Sequence, residues 1–341
     1  MKALFIGGTG TISAAISALC VKRGWELWLL NRGSHTDRVP EGAHVLHADV
    51  NDEAAVREAI GDRHFDVAAD FIAFTPDQVR RDVRLFKGRT AQYFFISSAS
   101  AYQKPPVSPH ITESTPLCNP YWEYSRNKIA CEEELMKEYR ECGFPVTLIR
   151  PSHTWCERSI PVSCHGAKGG YSVVNRIRQG KKVIIPGDGT SLWTLTFSTD
   201  FAEAFVGLMG NVHAIGNAYQ ITSDESLTWN QVYETIAQAL GVPLHAVHIA
   251  SETLAGACKS FEGELIGDKS NTVLFDNSKV KQAVPGFRAQ VRFDQGVRIA
   301  LDYIDHHPEC QVPDPEFDAW TDQIIERYEQ MQRELPILNK G

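Results

Sequence analysis

The opening stretch from Met1 to Gly10, Met-Lys-Ala-Leu-Phe-Ile-Gly-Gly-Thr-Gly, constrains this chain more than any other. Residues 3–6 are apolar without a polar break and too few for a helix, as expected of a strand buried on both faces of a parallel sheet. Gly7 and Gly10 follow at once, and a helical pattern starts near Thr11. A strand that runs through glycines into a helix builds a phosphate cradle. The glycines give a tight turn and close backbone approach, and the helix directs free N–H groups and its positive dipole end at the anion. Gly7, Thr9, Gly10, Thr11 and Ile12 are therefore the candidate pyrophosphate contacts. Ser13 stands at the third small position, where Gly or Ala is usual.

Strand and helix patterns then alternate, which predicts an α/β fold with a doubly wound parallel sheet. A helix over 14–23 stops at Gly24, and strands are expected over 26–30, 44–47, 65–72, 93–96 and 146–150. Pro76 opens a helix, another runs from about 121 to 142, and Thr199-Asp200 reads as an N-cap pair. The pattern is less regular after residue 155, returns to a strand over 217–222, and ends in an amphipathic helix over 315–334. This predicts a dinucleotide-binding domain of 1–155 with about 191–225, and a smaller α/β substrate lobe of about 156–190 and 226–341. The runs Arg80-Arg81 and Glu132-Glu133-Glu134 read as exposed helix faces.

About twenty residues past the glycines, where an NAD-binding chain usually places an acid for the ribose hydroxyls, the chain has Asn31-Arg32. An arginine beside a position without a carboxylate favours a 2′-phosphate, so NAD(P) is expected with NADP ahead of NAD. Asp49 and Val50 close the third strand as adenine contacts, and Ile72 ends the fourth.

The net formal charge of −8 gives nucleic acid no general electrostatic reason to bind, and no apolar run approaches a membrane span. Eight scattered cysteines and the absence of a leader pattern point to a reduced, cytoplasmic setting. No metal is expected, because His153, Cys156, Cys164 and His165 lack the paired short intervals of zinc sites.

Chemistry is expected just past the fifth strand, where Ser97-Ser98-Ala99-Ser100 falls in the ligand crevice of such folds. Tyr124 and Lys128 follow, four residues apart and so on one helix face. A phenol with a pKa near 10 is a poor acid–base group at neutral pH, and a neighbouring ammonium favours its phenolate. Tyr124 can then exchange a proton with a substrate hydroxyl while Ser98 holds the same oxygen and Lys128 holds the nicotinamide ribose.

With Gly7-Gly8-Thr9-Gly10, Asp49-Val50, Ile96 to Tyr102, Tyr124 with Lys128, Arg150-Pro151 and Gly187-Asp188-Gly189, the chain resembles the extended short-chain dehydrogenase/reductases that include nucleotide-sugar epimerases and dehydratases. The resemblance implies a Rossmann-like domain, a smaller substrate domain, a Ser98-Tyr124-Lys128 triad, nicotinamide contact near Pro151, and a homodimer packed through helices. It implies hydride transfer at a secondary alcohol or ketone of a small sugar-like substrate, with epimerase and net dehydrogenase both open. Ala99 and Ser100 stand where dehydratases of this group carry Asp-Glu, and Trp193 where many nucleotide-sugar enzymes carry an arginine for the diphosphate. A nucleotide-sugar substrate is thereby disfavoured. Ser100, His153 and Trp193 remain the substrate candidates. The competing reading is a non-catalytic dinucleotide-binding protein that binds RNA or senses redox state.

Overall fold

The computed structural model describes residues 1–33 and 36–336. It contains two compact units. The first comprises Met1–Cys156, Thr194–Ser226 and Val273–Val291, and the second Glu157–Trp193, Leu227–Thr272 and the chain from Arg292 onward.

In the first unit seven parallel strands form one sheet: β1 (Lys2–Ile6), β2 (Glu26–Asn31), β3 (His44–His47), β4 (Phe65–Asp70), β5 (Thr90–Ile96), β6 (Val146–Pro151) and β7 (Ala218–Ile221). Their order is β7-β6-β5-β4-β1-β2-β3, a Rossmann-like arrangement. Alternate residues bury on opposite faces. Ala3, Phe5, Phe94 and Ile96 pack against helix α1 (Ser13–Lys22) and the helix Ser198–Leu208. Leu4, Ile6, Tyr93 and Phe95 pack against α2 (Glu53–Ile60), α3 (Pro76–Phe86) and α4 (Glu123–Cys142). Burial on both faces explains the near-continuous apolar strands.

The chain order reverses between β1 and β4, so their carboxyl ends part and open a crevice there. β4 stops at Asp70, two residues short of the sequence expectation, because Asp70 Oδ1 accepts the Ile72 N–H at 2.6 Å and turns the backbone. The helix after residue 197 begins at Ser198 without a side-chain cap. Asp200 lies within its first turn and accepts the Val291 N–H at 2.8 Å.

The segment Val273–Val291, which the sequence reading gave to the carboxy-terminal lobe, belongs to this first unit. Leu274–Phe275 pairs in parallel with His110–Ile111, and Asn277 Nδ2 donates to Thr222 O at 2.9 Å.

The second unit is mainly helical: Tyr171–Arg178, Trp229–Leu240, Ser251–Ala257, Phe293–His306 and Pro315–Glu334, with Val183–Pro186 paired in parallel to Ala246–Ile249. Thr228 and Gln231 form a capping box on Trp229–Leu240. Arg176 is buried and bridges to Asp318 at 2.6 Å, tying the last helix to Tyr171–Arg178. Among the described residues no helix is long and apolar enough to cross a membrane.

Candidate active site

The glycine loop leaves β1 at Gly7, whose φ of +77° favours glycine. A Cβ there would lie 2.7 Å from Ile72 Cγ2, so the absent side chain lets the two loops meet. Ser13 closes the turn: its hydroxyl donates to Gly7 O at 2.6 Å and accepts the Gly10 N–H at 2.8 Å. The serine at the third small position is thus a staple across the loop.

A cleft of ≈ 340 Å³ opens beyond this turn. Gly7, Thr9, Gly10, Asn31, Arg32, Asp49, Val50 and Ile72, all singled out from the sequence, line it, while Thr11 and Ile12 lie in the turn that leads into α1. Arg32 extends into solvent, with Asp49 Oδ2 3.9 Å from its guanidinium. The carboxylate-free environment expected for Arg32 is therefore not what the fold provides.

Arg38 is a cleft residue that sequence reasoning missed. Its Nη1 donates to Thr9 O at 3.4 Å, whereas its buried Nε makes no hydrogen bond and lies 3.8 Å from Asp37 Oδ2. A glycine turn beside a guanidinium whose Nε makes no hydrogen bond suits a nucleotide phosphate, so these residues fit a dinucleotide.

At the carboxyl end of β5 the chain turns through Ser98, whose Oγ accepts the Ser100 N–H at 3.1 Å. Helix α4 packs there. Lys128 is 2% exposed and its Nζ donates to Ile96 O at 2.6 Å and Ala73 O at 2.7 Å. That ammonium lies 5.7 Å from the centroid of the Tyr124 ring and 4.5 Å from that of Phe74. Burial lowers the Lys128 pKa to about 8, against the raising effect of Cys131, Asp70 and Glu132. The Tyr124 ring packs between Trp122, at 5.0 Å, and Phe74, at 6.4 Å. Serine loop, phenol and ammonium thus gather around the end of one strand.

Two charges read as exposed are buried. Glu132, 3% exposed, accepts from Arg150 Nε at 2.9 Å and from the Ser97 hydroxyl. Arg81, 5% exposed, bridges Asp70 at 2.9 Å and Asp82 at 2.8 Å beneath the cleft. Arg81 meets Asp70 of β4 and Glu132 meets Arg150 of β6, partners on other elements that helical periodicity alone does not reveal.

The substrate candidates fall in both units. Ser100 is buried beside Ser98, and half-buried His153 lies on the strand His153–Trp155 that follows Pro151, the last residue of β6. Trp193 lies in the second unit, 4% exposed, stacked on Trp229 at 6.1 Å. Asn119 and Ser125, which also surround the serine loop, were missed; the serine adjoining Tyr124 was the available signal.

The chain is 26% identical over 255 residues to the chloroplast stem-loop binding protein of 41 kDa b of Arabidopsis thaliana, covering 71% of this chain and 64% of that relative's length. It is 21% identical over 302 residues to 2′-dehydrokanamycin reductase of Streptomyces kanamyceticus, covering 88% of this chain and 84% of that one. The structure of the UDP-glucose 4-epimerase of Thermus thermophilus in complex with NAD shares the fold, with a TM-score of 0.71 at 20% identity, over 90% of this chain and 100% of that one. The model of the NAD dependent epimerase/dehydratase family matches residues 3–222, well over half of the 341, and the chain belongs to that family.

Proposed function

We propose that this chain is an NAD(P)-dependent oxidoreductase or epimerase acting at a secondary alcohol or ketone of a sugar-like substrate. The observation that carries the reading is the placing of Tyr124 and Lys128 one turn apart on α4, ammonium 5.7 Å from the phenol ring centroid, beside the serine loop. Family membership and the reductase relative support it.

A nicotinamide dinucleotide, when bound, supplies or accepts the hydride. The loop of Gly7, Thr9 and Gly10 would hold its pyrophosphate and Asp49 and Val50 its adenine, while Lys128, bonded to the last carbonyl of β5, would hold its nicotinamide ribose near Pro151 at the end of β6. Asn31, Arg32 and Arg38 surround the place for the other ribose. The Arg32 and Arg38 guanidiniums, each with one carboxylate beside it (Asp49 and Asp37), are forked donors suited to a 2′-phosphate, hence NADP over NAD. Tyr124 takes the substrate hydroxyl proton, or returns it to a ketone oxygen, and Ser98 holds that oxygen by a hydrogen bond.

The name of the Arabidopsis relative raises a second reading, a stem-loop RNA binder. The formal charge of −8 weighs against it, since phosphate contacts supply most non-specific affinity.

Turnover of a panel of sugars, keto sugars and nucleotide sugars with NADP and NAD tests the assignment. Tyr124→Phe is expected to lower turnover by about 10²–10⁴-fold with the dinucleotide still bound. A fully active Tyr124→Phe enzyme removes the mechanism, and RNA retention at physiological salt by a protein without turnover supports the second reading.

A further inference from the structure

We infer that Ser125, next to Tyr124 on α4, is a positioning residue: it relays the direction set by the Asn119 amide along a hydroxyl chain, so that Ser98 gives the substrate oxygen a hydrogen and takes none from it. The catalytic meaning of this order rests on the hydride-transfer reading above; the order itself follows from the hydrogen bonds.

The chain of bonds starts at Asn119. Its Oδ1 accepts the Tyr121 N–H at 3.2 Å, and its Nδ2 donates to Ser100 O at 2.8 Å. Backbone partners of opposite kind fix which end of the amide is nitrogen. The same Nδ2 donates to Ser125 Oγ at 3.3 Å, so Ser125 is an acceptor there, and its own hydrogen goes to Ser100 Oγ at 2.7 Å. Ser125 is fully buried and Ser100 nearly so, which keeps water from competing for these groups.

Ser100, having accepted from Ser125, has one hydrogen of its own. Ser98 Oγ stands 2.8 Å away to receive it. Were Ser98 the donor, the buried Ser100 hydrogen would have no acceptor in this cluster, a situation that folded proteins avoid. Ser98 Oγ also accepts the Ser100 N–H at 3.1 Å. Two donors occupy both lone pairs of the Ser98 oxygen, and only its hydrogen is left for a ligand.

A hydroxyl that can only donate suits a ketone or alkoxide oxygen, and it binds best as negative charge grows on that oxygen. The work is then divided: Ser98 donates in both directions of the reaction, and Tyr124 alone moves the proton. Asn119→Asp would turn the chain round: a carboxylate there accepts the Ser125 hydrogen, Ser125 then accepts from Ser100, and the Ser98 hydrogen turns inward onto Ser100, away from the substrate.

Neutron diffraction from deuterium-exchanged crystals of the full chain reads these hydrogens directly. The expected result is deuterium of Ser125 on Ser100, of Ser100 on Ser98, and of Ser98 facing the cleft. In Asn119→Asp the Ser98 deuterium is expected to shift onto Ser100, and in Asn119→Asp with Ser125→Ala, where the relay is cut and Ser98 is again the one acceptor for Ser100, to stay toward the cleft. Wild-type protein with the Ser98 deuterium already on Ser100, or an Asn119→Asp variant in which it does not move, overturns the inference.

A kinetic cycle adds the functional consequence. For the keto sugar reduced fastest in the panel, Asn119→Asp lowers kcat about tenfold, one hydrogen bond's worth, with KM for the dinucleotide unchanged, and adding Ser125→Ala restores it. In a Ser98→Ala background Asn119→Asp costs nothing further, and an equal cost there overturns the inference. Fully active Tyr124→Phe defeats the hydride-transfer reading alone, because the deuterium positions judge the hydroxyl order by themselves.

Discussion

Lys128 shows how a buried charge ties the candidate chemistry to stability. Its ammonium has two carbonyl acceptors, Ala73 O and Ile96 O, but no carboxylate in hydrogen-bonding contact among the described residues, and burial brings its pKa from 10.5 down to about 8. Between those two values the unfolded chain binds a proton that the folded chain has released, so stability at this site rises with pH. Below that window the fold carries the charged form at a cost of about 3 kcal/mol relative to the neutral amine. Lys128→Met removes the titration but leaves the two carbonyls without their donor, a loss that does not vary with pH. The expected outcome concerns the slope. The unfolding free energy of wild type minus that of Lys128→Met should increase by about 3 kcal/mol from neutrality to alkaline pH, most of it above pH 8. Denaturant titrations of both proteins across that range measure it, and a flat difference would show that the ammonium is not held in a desolvated site.

At the scale of elements, the turn after β4 and helix α3 act together as the wall of the cleft. Arg81 on α3 bridges Asp70 at the end of β4 and Asp82, and the Tyr93 hydroxyl on β5 donates to Asp82 at 2.6 Å. Burial first, then the neighbouring Asp70, pushes the Asp82 carboxyl well above the ordinary range, while Arg81 pulls it down. Asp70 also receives the Ile72 N–H, so the network sets the loop that meets Gly7. Removing the guanidinium leaves two carboxyls facing each other in the interior. Arg81→Met is expected to cost about 3–5 kcal/mol in chemical denaturation and to weaken dinucleotide binding. Unchanged stability with unchanged affinity would reduce the network to surface decoration. The same residues show what the sequence makes legible. Strands and helices of the first 150 residues follow from apolar period and from Gly and Pro punctuation, and the cleft follows from the glycines at the end of β1. Arg81 and Glu132 do not, because their fate depends on partners many positions away, Asp70 and Arg150 among them. Arg38 escaped notice for the same reason: only the fold brings it beside Thr9.

At the scale of the molecule, the first unit is assembled from three separate segments, and the last of them falls outside the stretch matched by the family model. No local pattern announces that Val273–Val291 returns to this unit, since its short strand gains meaning only through pairing with His110–Ile111. Its contribution is nonetheless structural on several counts. Val280 and Phe287 enter the core formed by Phe5, Phe201 and Phe205. Gln220 on β7 donates to Asp276 O at 2.6 Å, and Lys279 places its ammonium 4.9 Å from the Tyr219 ring centroid. Burial of two such apolar side chains is worth about 1.5–3 kcal/mol each, comparable with a large share of the net stability of a domain. Consider two chains in which 1–156 and 194–226 are joined by a flexible glycine-serine linker, one continuing through a second linker into 273–291 and one ending at 226. Both hold all seven strands and the residues proposed for dinucleotide and proton transfer. The longer chain is expected to melt cooperatively and to be stabilised by NADP or NAD. The shorter one should lose its cooperative transition or melt many degrees lower, because β7 and the helix Ser198–Leu208 keep their apolar faces but lose what covers them. Circular dichroism melts with and without dinucleotide decide between these outcomes, and equal melting of the two chains would show that the third segment merely lies on a unit already complete.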